Sequence, residues 1–229
     1  MSAPLAGVRA CVFDAYGTLF DVNSAAASLR AQLGDQAGPL AALWRDKQLQ
    51  YTWLRTAQGR HADFQVVTRD ALAFALQALG LSEQLQAPLL HAFDALAVYP
   101  EVPQVLSRLK DAGMRTAILS NGTPAMLAAL VEHAGIGRWL DAVISVEEVG
   151  AFKPHPDVYR RAVERLRLEP GEISFQSSNG WDAYAASAFG MRVVWCNRAA
   201  QAPERLPGAP DIQVSSLAAL PELLGIGAS

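Results

Sequence analysis

Five short apolar runs in the second half of the chain restrict it to a parallel α/β sheet. They cover residues 114–119, Ala142–Ser145, Ile173–Ser177, Arg192–Cys196 and Ile212–Val214. Helix-spaced segments separate them: 102–112, one opened by Thr123-Pro124, 155–166, 181–189 and 217–224. Strands alternating with helices build parallel sheets, because each crossover must return the chain to the same edge. Thr123 reads as an N-cap and Pro124 as the first helical residue. A sixth run, Cys11-Val12-Phe13, lies near the N-terminus within 8–22, VRACVFDAYGTLFDV. It stops at a lone carboxylate, Asp14, followed by a turn of small residues. Asp14 either caps that turn or sits at the tip of a central strand, facing the crevice where open α/β sheets bind ligands.

Between this first strand and the alternating half, residues 22–96 show no convincing strand. That stretch is Ala- and Leu-rich, with breaks at 34–39, 58–59 and 80–82. Its apolar residues keep helical spacing, as at Leu40, Leu43 and Trp44, with Lys47 at the next helical position, and again at Ala71, Phe74, Ala75 and Ala78. It is too long for one crossover. The expected organisation is therefore an α/β, Rossmann-like core over 1–20 and 98–229, with a helical cap of four or five helices inserted at 21–97.

Composition excludes several classes. The formal net charge of −3 gives no basic surface for nucleic acid. No apolar run approaches the ~20 residues of a membrane span. Cys11 and Cys196 both fall in predicted strands and read as buried thiols of a reducing cytoplasm rather than a disulfide. The four histidines show no zinc spacing. The N-terminus runs straight into the first strand, so a cytoplasmic protein without a signal peptide is expected.

Four polar sets converge on one crevice: Asp14 with Thr18, Ser120 with Asn121, Ser177 with Asn179 and Asp182, and Lys153 at a helix start. Each has a bland alternative. Lys153 suits a helix surface, Asp182 suits the first turn of a helix dipole, and an isolated Arg45 suits a solvated face. Their convergence favours a site. The sets resemble the four motifs of the haloacid dehalogenase superfamily. FDAYGTLFDV, LWRDKQLQYTWLR, LSNG, FKPHPDVY and SSNGWDA are more narrowly similar to the L-2-haloacid dehalogenase family, over nearly the whole chain.

That resemblance carries specific expectations. Most of the superfamily are magnesium phosphatases with a DxDxT loop. Here Tyr16 replaces the second Asp, and Ser178-Asn179 replaces the acidic pair near Asp182, so no metal and no cofactor are expected. Lys153 and Arg45 balance Asp14 and Asp182 instead. The implied reaction is (S)-2-haloacid dehalogenation. Asp14 attacks the halogen-bearing carbon, halide leaves, and water hydrolyses the resulting ester to an (R)-2-hydroxy acid. Lys153 pairs with Asp14, favouring its charged form. Asp182, Asn179 and Ser177 position water, and Thr18 either bonds Asp14 or holds the turn. Ser120 and the amides of Ala15 and Tyr16 bind the substrate carboxylate. Arg45 and Asn121 receive the halide, which an always-charged planar cation suits. Tyr16, Leu49, Phe64 and Trp181 match pocket walls, though by composition each is more often a core residue, and Tyr159 matches a tyrosine beside the lysine.

Asp46, Tyr184 and Ala185 depart from the family pattern, the last two in a way that could narrow the crevice. A homodimer through the apolar helices around 40–54 is expected from Trp44, Tyr51 and Trp53, unless these are core. The small-molecule haloacid is the expected partner, with no nucleic acid and no membrane. A magnesium-dependent phosphatase and a non-catalytic binding protein of the same fold are the competing readings.

Overall fold

A computed structural model describes residues 5–227. Met1 to Pro4, Ala228 and Ser229 lie outside the described residues, and with them the outer ends of the expected core range and the first residues of the expected leaderless start. Six parallel strands form one sheet: β1 (Ala10–Phe13), β2 (Arg115–Ser120), β3 (Ala142–Ser145), β4 (Ile173–Ser177), β5 (Arg192–Cys196) and β6 (Ile212–Val214). Their order is β3-β2-β1-β4-β5-β6. β1 is central, with Val12 paired to Ala117 on one side and Phe175 on the other. The order reverses there, so the crevice beyond the carboxyl ends opens over the residue after Phe13. That residue is Asp14, whose N–H is anchored to the Gln176 carbonyl at 2.9 Å.

β1 and β4 are buried along their whole length, and so is β5 beyond Arg192, which explains their continuous apolar or small-residue runs. Cys11 and Cys196 are both buried and free. Burial pushes the Cys11 thiol far above the ordinary range. Among the described residues no helix is long and apolar enough to cross a membrane.

Five α-helices lie between β1 and the start of the alternating half: α1 (Ser24–Ser28), α2 (Arg30–Leu33), α3 (Ala37–Ala57), α4 (Phe64–Ala78) and α5 (Gln86–Phe93). The sequence predicts a break across 34–39. The structure shortens it to a 3₁₀ turn at Gly34–Gln36, after which α3 runs through Gly38 and Pro39. A proline in the first helical turn forfeits no hydrogen bond, since that N–H has no partner anyway. α3 ends before Gly59, whose φ of +62° favours a residue without Cβ. Asp63 starts α4 by accepting from the Val66 N–H at 2.7 Å.

α3 packs along α4. Trp44 is buried between them and donates from Nε1 to the Thr68 carbonyl at 2.9 Å. This indole therefore serves the interior rather than a dimer face. Trp53, Leu54 and Phe74 remain exposed on the same two helices. Helix α3 and the loop that follows it meet the segment after β3. Thr56 accepts from the Phe152 N–H at 3.1 Å, and His61 Nε2 lies 2.9 Å from Glu147 Oε2.

The alternating half supplies α6 (Val102–Asp111), α7 (Pro124–His133), α8 (Pro156–Leu166), α9 (Gly180–Phe189) and α10 (Leu220–Leu223). Thr123 caps α7 through the Met126 N–H at 3.2 Å. The predicted final helix is divided, with a 3₁₀ turn at Leu217–Ala219 preceding α10.

Candidate active site

The site begins where β1 ends. Asp14 is 5 % exposed, and both of its oxygens are engaged. Lys153 Nζ donates to Oδ1 at 3.1 Å. Thr18 Oγ1 and Asn179 Nδ2 each donate to Oδ2 at 2.9 Å. Thr18 does both of the jobs left open from the sequence, since its Oγ1 also accepts from the Ser178 N–H at 2.8 Å. It thereby ties the β1 turn to the turn after β4.

Lys153 stands one turn ahead of α8 and is fully buried. Its backbone N–H is held by Asn121 Oδ1 at 3.0 Å. Its ammonium reaches across to Asp182 Oδ2 at 2.9 Å. Tyr159, one turn into α8, donates to Asp182 Oδ1 at 2.6 Å. The buried array is thus two carboxylates bridged by one ammonium, with a phenol on the outer oxygen.

The electrostatics follow from burial and proximity. Burial opposes charge on Lys153, but the two carboxylates outweigh it, so its pKa rises above the ordinary lysine value. Burial raises the Asp182 carboxyl, and the neighbouring Asp14 adds to the rise, against the opposing pull of Lys153. Burial and the Asp182 carboxylate hold the Tyr159 hydroxyl well above its usual range.

The raised Asp182 value has a stability consequence. A carboxyl whose folded pKa exceeds its unfolded value stabilises the fold at low pH and loses that contribution as pH rises through the folded value. At neutral pH the charged form is therefore a cost. Asp182→Asn, with its amide oxygen toward Lys153 and its NH₂ toward Tyr159, keeps the shape and removes that charge. The expected result is a folded protein with turnover reduced about 10²–10⁴-fold.

Arg45 extends from α3. Its Nη2 donates to Asn179 Oδ1 at 3.2 Å and its Nη1 to Gln48 Oε1 at 2.8 Å. Burial lowers its pKa from the ordinary arginine value, against the pull of Asp14. The sequence pairs Arg45 with Asn121. In the structure Arg45 bonds Asn179, while Asn121 accepts from the Lys153 N–H through its oxygen, a contact that leaves its NH₂ group available as a donor.

Tyr16 is buried, stacked on Phe93 at 5.2 Å between centroids and tilted against Phe64 at the same distance. Its hydroxyl has no hydrogen-bond partner among the described residues. The amides of Ala15 and Tyr16 find no backbone acceptor among the described residues either, leaving two donors beside Asp14. Ser120 is buried and accepts from the Gly122 N–H at 3.2 Å.

Other expected residues sit further out. Ser177 Oγ accepts from the Asn179 N–H at 3.1 Å, so it shapes the turn that presents Asn179 rather than touching Asp14. Leu49 is half-buried on α3, four residues beyond Arg45. Trp181 is half-buried, edge-on to Trp53 at 5.5 Å. With Trp53, Tyr159, Ala185 and Phe189 it lines an apolar cavity of about 820 Å³ beside Lys153. Tyr184 turns its ring to Trp195, 6.3 Å away in the helix–sheet packing, and so does not narrow the crevice. Asp46 is exposed. Gln48 and Thr68, both 1 % exposed, are polar neighbours of Arg45 that the sequence reading missed. The only signal for Gln48 was its place three residues after Arg45, on the same helix face.

Among the described residues no three acidic, histidine or cysteine side chains cluster as a metal would need. The cation at the centre of this site is an ammonium. A parallel sheet presenting a buried aspartate from its first strand, with that lysine behind it, defines an α/β hydrolase that works through a carboxylate. Accordingly, the family model for haloacid dehalogenase-like hydrolases matches residues 8–190, from two residues before β1 to the glycine that ends α9. Over 220 residues the chain is 46 % identical to (S)-2-haloacid dehalogenase 1 of Pseudomonas sp. (strain CBS-3), covering 95 % of this chain and 96 % of that one. The crystal structure of L-2-haloacid dehalogenase from Xanthobacter autotrophicus with chloropropionic acid covalently bound superposes with a TM-score of 0.88. It shares 41 % identity, and the match covers 94 % of this chain and 98 % of that one. A further crystal structure, described as a dehalogenase, gives a TM-score of 0.94 at 40 % identity, over 97 % of this chain and 99 % of the other. The chain belongs to the (S)-2-haloacid dehalogenase family of haloacid dehalogenase-like hydrolases.

Proposed function

We propose that this protein hydrolyses short-chain (S)-2-haloacids to (R)-2-hydroxy acids and halide through an ester on Asp14, with no metal. The observation that carries this reading is the Asp14–Lys153–Asp182 array, a carboxylate held by an ammonium at the reacting end of the sheet. In the first step an Asp14 oxygen forms a bond to the α-carbon as the carbon–halogen bond breaks, inverting the centre. Halide departs with the bonding pair, toward Arg45. Ser120 and the amides of Ala15 and Tyr16 hold the substrate carboxylate, and Tyr16, Phe64, Leu49 and Trp181 wall its alkyl group.

In the second step water adds to the acyl carbon of the ester. Asp182, made more basic by burial, takes one proton from the water and returns it to the departing alkoxide as the acyl–oxygen bond breaks. The second water proton passes to solvent, which releases the hydroxy acid and restores the Asp14 carboxylate. Asn179 keeps the Asp14 carboxyl in place through both steps. The helical segment 21–97 acts as a cap on the core formed by 1–20 and 98–229. It delivers Arg45 and limits water around a nucleophile that is effective when poorly solvated. Exposed Trp53, Leu54 and Phe74 support a homodimer through the cap helices, and two buried thiols support a cytoplasmic protein.

The deciding experiment is halide release from both enantiomers of several 2-haloacids with a chelator present, followed by single turnover in heavy-oxygen water. Release from the (S) series alone, with label recovered in the Asp14 carboxyl, is expected. Label appearing directly in the hydroxy acid, or activity that vanishes with the chelator, would overturn the scheme.

A further inference from the structure

We propose that Gln48 and Thr68 are positioning residues that fix the aim of Arg45 and keep its charge free for an anion. The proposal rests on reading Arg45 as the receiver of the departing halide. It follows from counting hydrogens. The Thr68 hydroxyl has one proton, which it donates to the Phe64 carbonyl at 2.6 Å. Toward Gln48 it can therefore only accept, and the 2.8 Å contact must come from the amide NH₂. The Gln48 carbonyl is then obliged to face Arg45, as its 2.8 Å contact with Nη1 shows. A guanidinium only donates, so a reversed amide would set donor against donor.

The same logic operates on the other side of the guanidinium. Asn179 spends its NH₂ on Asp14 Oδ2 and the Tyr16 carbonyl, which leaves its oxygen for Arg45 Nη2. Arg45 is thus held between two amide oxygens, each turned toward it by a partner further out. Gln48 and Thr68 are each 1 % exposed, so bulk water is not at hand to take over a lost contact. The acceptors are neutral. A carboxylate at position 48 would aim the guanidinium equally well but would also pair with it, weakening its attraction for a halide. The line of contacts runs from α4 through α3 to α9 and β1, joining the inserted helices to the nucleophile.

The test uses the full chain and four variants: Thr68→Val, Thr68→Ser, Gln48→Met and Gln48→Glu. Single-turnover halide release is measured with chloro- and bromo-substrates, alongside hydrolysis of the preformed Asp14 ester. Thr68→Val and Gln48→Met are expected to slow chloride release about 10–100-fold, as loss of one buried hydrogen-bond partner does. Bromide, the better leaving group, is expected to lose less, and ester hydrolysis to change less than about threefold. Thr68→Ser restores the parent rate, while Gln48→Glu is slower than Gln48→Met despite its acceptor.

Equal losses on both halides, or Thr68→Ser behaving as Thr68→Val, would overturn the proposal. Bromide titration of the resting protein gives a second reading that needs no turnover. Affinity about tenfold weaker in Thr68→Val and restored in Thr68→Ser supports the assignment, and equal affinities in all variants refute it. A parent protein that binds bromide in this pattern but turns over no haloacid would sink the functional reading alone.

Discussion

Asp14→Asn is expected to fold and to release halide from (S)-2-haloacids at least ~10⁴-fold more slowly than the parent, the scale seen when a covalent nucleophile is removed. The substitution changes one atom. Its amide oxygen can still accept from Thr18 and Asn179, whose contacts with Oδ2 are both 2.9 Å. Its NH₂ would then meet the Lys153 ammonium, donor against donor. Lys153 keeps Asp182 as a partner, so the fold is not left with an unpaired buried cation. A factor of 10⁴ corresponds to about 5.5 kcal/mol of barrier, far more than one misdirected hydrogen bond costs. Rapid-quench measurement of halide release separates these cases. A loss of only tenfold would mean that water, not Asp14, attacks the α-carbon.

Lys153→Met is expected to impair both stability and turnover, with about 3–5 kcal/mol lost from the folding free energy, the range for breaking a buried ion pair from one side. Methionine fills the lysine stem's space but leaves Asp14 and Asp182 facing each other without the cation between them. The lysine itself is 1 % exposed, so solvent does not screen this loss. The pH dependence has a definite sign. Because the folded lysine's pKa lies above its unfolded value of 10.5, its contribution is fully present below that pH. It is lost only as pH rises through the folded value. Urea unfolding of the variant at pH 6, 7 and 8 should show a deficit that shrinks toward pH 6, where the two facing carboxyls of the variant share a proton. A variant as stable as the parent at pH 7 would mean that the ammonium is not what holds the two carboxylates together.

Much of this site is visible in one dimension because each group follows a strand end or starts a helix. Asp14 and Thr18 lie in one turn, Asn179 and Asp182 at the start of one helix, and Lys153 beside a Pro-initiated one. The parallel class of the sheet follows from apolar runs that only a doubly covered sheet can bury, whereas the order β3-β2-β1-β4-β5-β6 is set by how the crossovers pack. What escaped depends on how separate elements meet. Gln48 and Thr68 are twenty residues apart on two helices, and their contact is created by the packing of α3 on α4. That the Asn121 oxygen holds the Lys153 backbone is decided by the path of the loop before α8. Trp44, an aromatic on an amphipathic segment, could have faced a partner. Its indole instead satisfies a helix carbonyl in the interior.

The length of α3 has a mechanical consequence. Arg45 and Thr56 are eleven residues apart on this one continuous helix, roughly 16 Å at 1.5 Å per residue. Each grips a different part of the sheet domain, Asn179 and the Phe152 amide. A stiff rod clamped at two places cannot swing about either one. The Thr56 hydroxyl, far from the chemistry, thus helps fix the line along which α3 presents Arg45.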